Sequence, residues 1–415
     1  MNKKKSHPRS DTYHILSGWL IDGTGGPILT EAILSVSDGI INSVKRKGFL
    51  EVNSDNIIDF SHCTLLPGLV DSHVHLSMSG VHNPEIRKRQ LIAPFKEIKE
   101  VISGHLEDQL KCGVVALRDG GDHAGHTLRY RLEYLPRTAF PISCLIAGKA
   151  WHAEGRYGRI IGRPPLKGQN LSQSISVDHD SIDHIKIVNS GLNSLSCFGR
   201  ETLPQFSLKD LSEAVRVGNA LGLKTMVHAN GRKAVRLAIE SGCHSIEHGY
   251  FMGDENLMRM ADKQVTWVPT LYPMEAYLRA SDPGSPESEV TEKNLYHQID
   301  QVSRALKYGV PIAVGTDSGS PGVNHGSAIM EEVRLLLSAG ISLEQAVGCA
   351  TMNGARLLEI EYHTGRLTSG MPATFLAVPG RPEGLTITPG SLEALFVKGR
   401  EYVRQDQQAR PNAIG

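Results

Sequence analysis

Leu66-Pro67-Gly68-Leu69-Val70-Asp71-Ser72-His73-Val74-His75 is where the chain changes character. Before it, strand-like runs at residues 13–20, 32–37 and 40–45 alternate with turns such as Asp22-Gly23-Thr24-Gly25-Gly26, the pattern of a small β-sheet unit. After about Pro67, short apolar runs alternate with segments of helical spacing, the mark of βα units on a parallel sheet. Eight runs can be followed, at residues 66–75, 114–120, 141–148, 185–190, 225–230, 245–250, 265–271 and 311–317. Between most of them lie helical patterns: in 208–221 the residues Leu211, Ala214, Val215 and Gly218 share one face, and 231–241 behaves alike.

Eight strands with helices between them predict an α/β fold, a (β/α)8 TIM barrel, for which about 250 residues is usual. An open doubly wound sheet shares this periodicity. Downstream, residues 365–378 are strand-like, 379–389 form a Pro/Gly-rich link and 395–397 a last strand. Strands at both ends predict that the ends pair, giving a composite β-sandwich domain from residues 1–65 plus 365–415 beside a barrel of residues 66–364.

Of 415 residues, 44 are Lys or Arg and 44 are Asp or Glu, so the formal net charge is zero. That balance excludes a concentrated positive field of the kind that binds nucleic acid or an anionic membrane surface. At 40% hydrophobic and 21% charged, the composition is that of an ordinary globular protein. Cys63, Cys112, Cys144, Cys197, Cys243 and Cys349 are far apart and form no CxxC pair, which predicts reduced, mostly buried thiols. The polar stretch from Met1 to Thr12 lacks the apolar core of a signal peptide, and no run of about 18 apolar residues occurs, so a cytoplasmic protein without a membrane span is expected.

The chemistry-bearing residues fall at strand ends, where barrel enzymes place their active sites. Side chains alternate along a strand, so His73 and His75 project to the same side and can share a metal ion. Val227-His228-Ala229-Asn230, Ile246-Glu247-His248-Gly249 and Gly315-Thr316-Asp317-Ser318 end later strands. A lone buried histidine often bonds only a backbone carbonyl, and an aspartate often caps a helix. Four histidines and an aspartate at matching strand ends read jointly as a metal site. Lys186, in His184-Ile185-Lys186-Ile187, is expensive to bury charged; it is paired, deprotonated or modified. A neutral amine there can take up carbon dioxide to form a carbamate, a two-oxygen ligand able to bridge two metals.

The order HxH, Lys, His, His, Asp on this pattern resembles the amidohydrolase superfamily. The local wording is similar to its imidazolonepropionase-like and prolidase-like (Xaa-Pro dipeptidase-type) members: residues 66–75, Arg118-Asp119-Gly120-Gly121, Val227-His228-Ala229-Asn230, Ser245-Ile246-Glu247-His248-Gly249 and Gly315-Thr316-Asp317. The resemblance implies two divalent metal ions, with His73, His75 and Asp317 on one, His228 and His248 on the other, and carboxylated Lys186, formed with CO2, bridging both. Imidazole and carboxylate ligands without thiolate suit Zn2+, with manganese or cobalt as alternatives. The mechanism implied is attack by a metal-activated hydroxide on an amide carbonyl, with Asp317 moving the proton to the leaving nitrogen. Where prolidase-like relatives carry a Thr-Gly-Gly-His-Gly type motif, this chain reads Lys149-Ala150-Trp151-His152-Ala153-Glu154-Gly155; His152 is retained as the expected partner of the substrate carbonyl. A family Ala-Asp-Leu-Val-like strand becomes Ala373-Thr374-Phe375-Leu376.

For the substrate, Arg156, Arg159 and Arg163 offer a carboxylate clamp, against the alternative of a solvated basic loop. Residues 193–206 and 272–289 read as long specificity loops, and Tyr250 and Tyr272 as hydrogen-bond donors to an oxyanion or as packing residues. The leading expectation is a dinuclear hydrolase of an amide bond in a small molecule, a dipeptide or N-acyl amino acid with a free carboxylate. A cyclic-amide hydrolase or a deaminase is the alternative, with Lys186 discriminating because deaminases lack the bridging lysine; a non-catalytic scaffold is more remote, since every expected ligand position is filled. A homo-oligomer is expected by resemblance.

Overall fold

The computed structural model describes residues 12–46, 48 and 56–402; the polar leader before Thr12 lies outside the described residues. The first strands are β1 (Tyr13–Leu20), β2 (Leu29–Ser37), β3 (Ile40–Arg46) and β4 (Ile57–Pro67). The central ones are β5 (Leu69–Val74), β6 (Val114–Asp119), β7 (Ser143–Ile146), β8 (Ala150–Trp151), β9 (Gly162–Arg163), β10 (His184–Val188), β11 (Lys224–Ala229), β12 (Ser245–His248) and β13 (Thr266–Val268). The last are β14 (Phe375–Pro379), β15 (Ala394–Val397) and β16 (Arg400–Glu401).

Both chain ends enter one seven-stranded sheet of order β16-β15-β14-β4-β1-β2-β3. β4 runs parallel to β1 and antiparallel to β14, so it is the seam between the early and the late strands. Ile15, Leu34, Val36, Leu65 and Phe375 are buried in its own apolar cluster, where the rings of Phe375 and Phe396 stack at 4.6 Å. The single run expected at residues 66–75 is in fact the end of β4 and all of β5, parted by Gly68 and belonging to different sheets. β4 escapes a sequence reading because exposed Ser61 and His62 interrupt its alternation, and it crosses the expected domain junction after residue 65.

The parallel strands form two sheets, β5-β6-β7 and β13-β12-β11-β10-β8-β9. β6 and β10 are buried along their whole length, as strands covered on both faces must be. The eighth expected strand, 311–317, forms no ladder among the described residues, so the sheets do not close as one continuous barrel ladder. It still touches both: Trp267 N–H donates to Pro311 O at 2.8 Å, Ser72 N–H to Val314 O at 2.9 Å and Asp317 N–H to His73 O at 2.7 Å. Asp317 adopts φ 53°, a left-handed conformation that breaks regular strand geometry at the residue the site needs.

Helix Leu208–Ala220 buries Leu211, Ala214, Val215 and Gly218, the face expected from its spacing. Residues 272–289 are no long loop: they hold helix Tyr272–Ala280 and the start of helix Pro286–Tyr308. Pro273 and Pro286, which punctuate the sequence like loop residues, stand in the first turns of these helices, where a missing N–H costs nothing. No disulfide is formed, and Cys197 alone of the free cysteines is exposed. No helix among the described residues is long and apolar enough to cross a membrane.

Candidate metal centre and active site

The strand ends bring the predicted ligands into one cluster. His73 and His75, two residues apart on β5 and just beyond it, face the same side with ring centroids 5.4 Å apart. The His73 ring lies 5.1 Å from that of His248 at the end of β12, which lies 4.7 Å from that of His228 on β11. From β10, Lys186 places Nζ 3.4 Å from His73 Nε2. Asp317 Oδ1 stands 3.5 Å from His73 Nε2 and 3.4 Å from His75 Nε2. His73, His75 and Asp317 thus present ligand atoms within 4.8 Å of one another, close enough to hold one ion.

Each of the four imidazoles is held by its outer nitrogen. His75 Nδ1 donates to Gly121 O at 3.0 Å and His228 Nε2 to Gly191 O at 3.1 Å, because a carbonyl can only accept. His73 Nδ1 faces Glu247 Oε2 at 2.9 Å, and His248 Nδ1 lies 2.7 Å from Thr270 Oγ1. The other nitrogens of His73, His75 and His228 therefore keep lone pairs, the state in which imidazole binds a metal. Glu247 is itself held by Arg118 Nη2 at 2.9 Å, while Arg118 Nε donates to Ser72 O at 2.8 Å. These buried groups fit a metal centre: inward lone pairs, an inward carboxylate and outer partners that fix each ring.

Backbone demands explain some local sequence. A Cβ on Gly120 would stand 2.7 Å from His75 Cε1, and one on Gly315 would stand 2.8 Å from His73 Cβ, so neither position admits a side chain without moving one of the clustered histidines. His248 also sits at positive φ, 65°, and such conformations persist where surrounding structure enforces them.

Burial dominates the electrostatics. It pulls Lys186 down to about 8, His73 to about 4 and His228 to about 3, favouring the neutral forms. For Asp317 burial acts upward, yet His75 and the other neighbouring imidazoles hold the carboxyl far below its usual range. Glu247 is likewise held low against its burial by Arg118 and His73. His75 rises because Asp317 outweighs the effect of burial.

A cavity of about 280 Å³ opens over this cluster, lined by all six predicted ligands and by Tyr250. His152, Arg156 and Tyr272 do not line it. His152 is buried, with Nδ1 2.9 Å from Ala153 O. Arg156 is exposed and donates to Leu203 O at 2.9 Å; Arg163 packs over Trp151 and pairs with Asp178. Tyr272 carries Arg279 against its ring. The cavity instead presents Arg87, Tyr157, Asn193 and Tyr277, which the sequence reading did not single out. Glu247 had a usable signal, a charge in an apolar strand like that of Lys186; Arg87 had none, since its helix, Pro84–Ile92, buries no residue.

The amidohydrolase family profile matches residues 64–402. The chain belongs to the amidohydrolase family. Ochratoxinase of Aspergillus niger is 24% identical over 399 residues, spanning 89% of this amidohydrolase and 81% of that protein. Imidazolonepropionase of Flavobacterium johnsoniae is 22% identical over 377 residues, 84% of this chain and 85% of the other. A crystal structure of a Xaa-Pro dipeptidase with methionine bound in the active site superposes with a TM-score of 0.77 at 25% identity, covering 94% of this amidohydrolase and 100% of that chain. This amidohydrolase therefore has a TIM-barrel-like α/β fold with a β-rich domain and is a hydrolase acting on carbon–nitrogen bonds of small molecules. The family is generally metal-dependent, in keeping with the His73, His75 and Asp317 group.

Proposed function

We propose that the enzyme hydrolyses a linear amide, in a dipeptide or an N-acyl amino acid, at a centre of two divalent cations, most suitably zinc. His73, His75 and Asp317 would hold one ion, His228 and His248 the other, and Lys186, carboxylated by CO2, would bridge them. We also read the two parallel sheets as arcs of one eight-stranded barrel of residues 66–364, with the ends 1–65 and 365–415 as the second domain. The observation that carries the reading is Lys186: fully enclosed, 3.4 Å from His73 Nε2 and lowered to about 8, it is an amine without a carboxylate contact in the middle of an imidazole cluster.

When bound, the ions supply a Lewis acid for the carbonyl and an activated water. The residues do the rest. Asp317, anionic at neutral pH, accepts the proton from the attacking water and delivers it to the leaving nitrogen. Water oxygen bonds to the acyl carbon, the C–N bond breaks, and a carboxylic acid and an amine leave. Tyr250, buried and lining the cavity, keeps its phenol protonated because burial raises it, so its O–H is available to the carbonyl oxygen.

Lys186→Ala is expected to lower bound metal from two ions per chain towards one and to abolish most turnover, read by metal analysis and by mass spectrometry of a library of dipeptides, N-acyl amino acids and cyclic amides. Full activity in that variant overturns the dinuclear centre. Ring opening or ammonia release by the unaltered enzyme moves it to the cyclic-amide or deaminase branch.

A further inference from the structure

Arg87 is the one arginine among the residues lining the active cavity. Its Nη1 donates to Ser79 O at 2.6 Å and Gly319 O at 2.9 Å, which fixes the guanidinium two residues along the chain from Asp317. Both hydrogens of Nη1 are thereby used, while among the described residues Nε and Nη2 meet no acceptor and no carboxylate forms an ion pair with the side chain. A partly buried guanidinium with no carboxylate in contact, and with its planar fork only half used, is suited to receive one. Asp317, by contrast, is the only carboxylate in the lining, and it is committed to His73 and His75. The rest of the wall combines apolar and aromatic side chains, among them Ile160, Leu192, Leu195, Met274 and Tyr277, with neutral polar ones such as Asn193 and Asn230.

We propose that Arg87 is the carboxylate-binding residue of this site and that the substrate is an N-acyl amino acid with an apolar or aromatic acyl group, not a dipeptide with a free amine. The inference deepens the hydrolase reading and rests on it. In such a substrate the carboxylate lies three bonds from the scissile carbonyl carbon, on the leaving-nitrogen side. The ammonium of a dipeptide would sit on the acyl side, where the wall offers no free anion, and burying an unpaired charge is unfavourable.

The test measures benzoate release from N-benzoyl-L-phenylalanine and from its C-terminal N-methylamide, alongside cleavage of Phe-Phe, by zinc-reconstituted enzyme and by R87Q and R87K. The expected result is that R87Q lowers kcat/KM on the carboxylate substrate on the order of 30-fold, mainly through KM, the ~2 kcal/mol of a charged hydrogen bond at 1.4 kcal/mol per tenfold. Turnover of the N-methylamide, whose neutral carbonyl makes only a weaker hydrogen bond, falls much less, and R87K restores part of the loss on the carboxylate substrate. An equal fall on both substrates overturns the assignment, because it marks Arg87 as a brace for the Ser79 and Gly319 carbonyls only. Phe-Phe cleaved as well as the benzoyl substrate overturns the N-acyl preference. If metal-loaded enzyme releases nothing from any of them, the hydrolase reading fails for this class; thermal-shift binding of N-benzoyl-L-phenylalanine then still decides Arg87, supported if R87Q loses the shift and overturned if it keeps it.

Discussion

His73 owes its orientation to two buried charges that never touch the cavity. Glu247, fully enclosed, faces His73 Nδ1 at 2.9 Å and takes Arg118 Nη2 at 2.9 Å on its other oxygen. Removing one member strands the other in a dry environment, so Glu247→Gln is expected to destabilise the fold by about 3–5 kcal/mol. It also frees the His73 tautomer and should weaken metal binding by about 10–100-fold. Pairing Glu247→Leu with Arg118→Met removes both charges and should recover most of the stability without recovering metal affinity. Chemical denaturation and metal titration of the three proteins separate these effects; recovery of both would assign the pair to stability alone. The clustering of the four histidines and Asp317 was legible in the sequence because strand alternation and strand ends place side chains almost without tertiary information. Their outer partners were not, since Arg118 and Glu247 meet only when β6 and β12 face each other across the sheets.

Helix Tyr272–Ala280 begins without a capping side chain of its own; Leu271 occupies the cap position. Glu332, from helix Ala328–Ser338, supplies the acceptor, taking the Tyr272 N–H at 2.7 Å. A helix N-terminus favours an anion, but burial wins here and raises the Glu332 carboxyl to about 8, against the opposing hydrogen bonds from Tyr272 and Leu271. Because the folded value lies above the ordinary 4.5, the folded state holds the proton more tightly; this contribution to stability is complete below pH 4.5 and is lost as pH rises through 8. Glu332→Gln is expected to flatten the decline between those limits, seen as a smaller difference in urea midpoint between pH 5 and pH 8 than in the unaltered protein. An unchanged difference would mean that other groups set the slope. Neither helix of this region was legible, because Pro273 and Pro286 mark a helix start and a loop equally well until the cap is seen. Arg87 was hidden for a related reason: Pro84–Ile92 has no apolar stripe, and only the Ser79 and Gly319 carbonyls give its arginine a direction.

The seven-stranded sheet joins the chain's ends through the contact of β4 with β14, in which Leu65 opposes Ala377 and Leu66 opposes Leu376. Strand runs at both ends made that pairing legible, whereas the break at Gly68, which hands the chain from this sheet to the β5 sheet, was not: a close approach to Val115 demands it, and that neighbour is remote in sequence. A chain ending at residue 364 lacks β14 to β16 and leaves the β4 edge and the Phe60 and Leu65 side chains without their cover. Such a chain is expected to sediment from a cell lysate, by the exposure of unpaired strand and apolar surface; its remaining in the supernatant would show that the early strands stand alone. The same seam sets a clock on biosynthesis. At about 5–20 residues per second, β14 leaves the ribosome tens of seconds after β4, so the catalytic half has time to gather its strands while the first-made strands wait, half-paired, for the last.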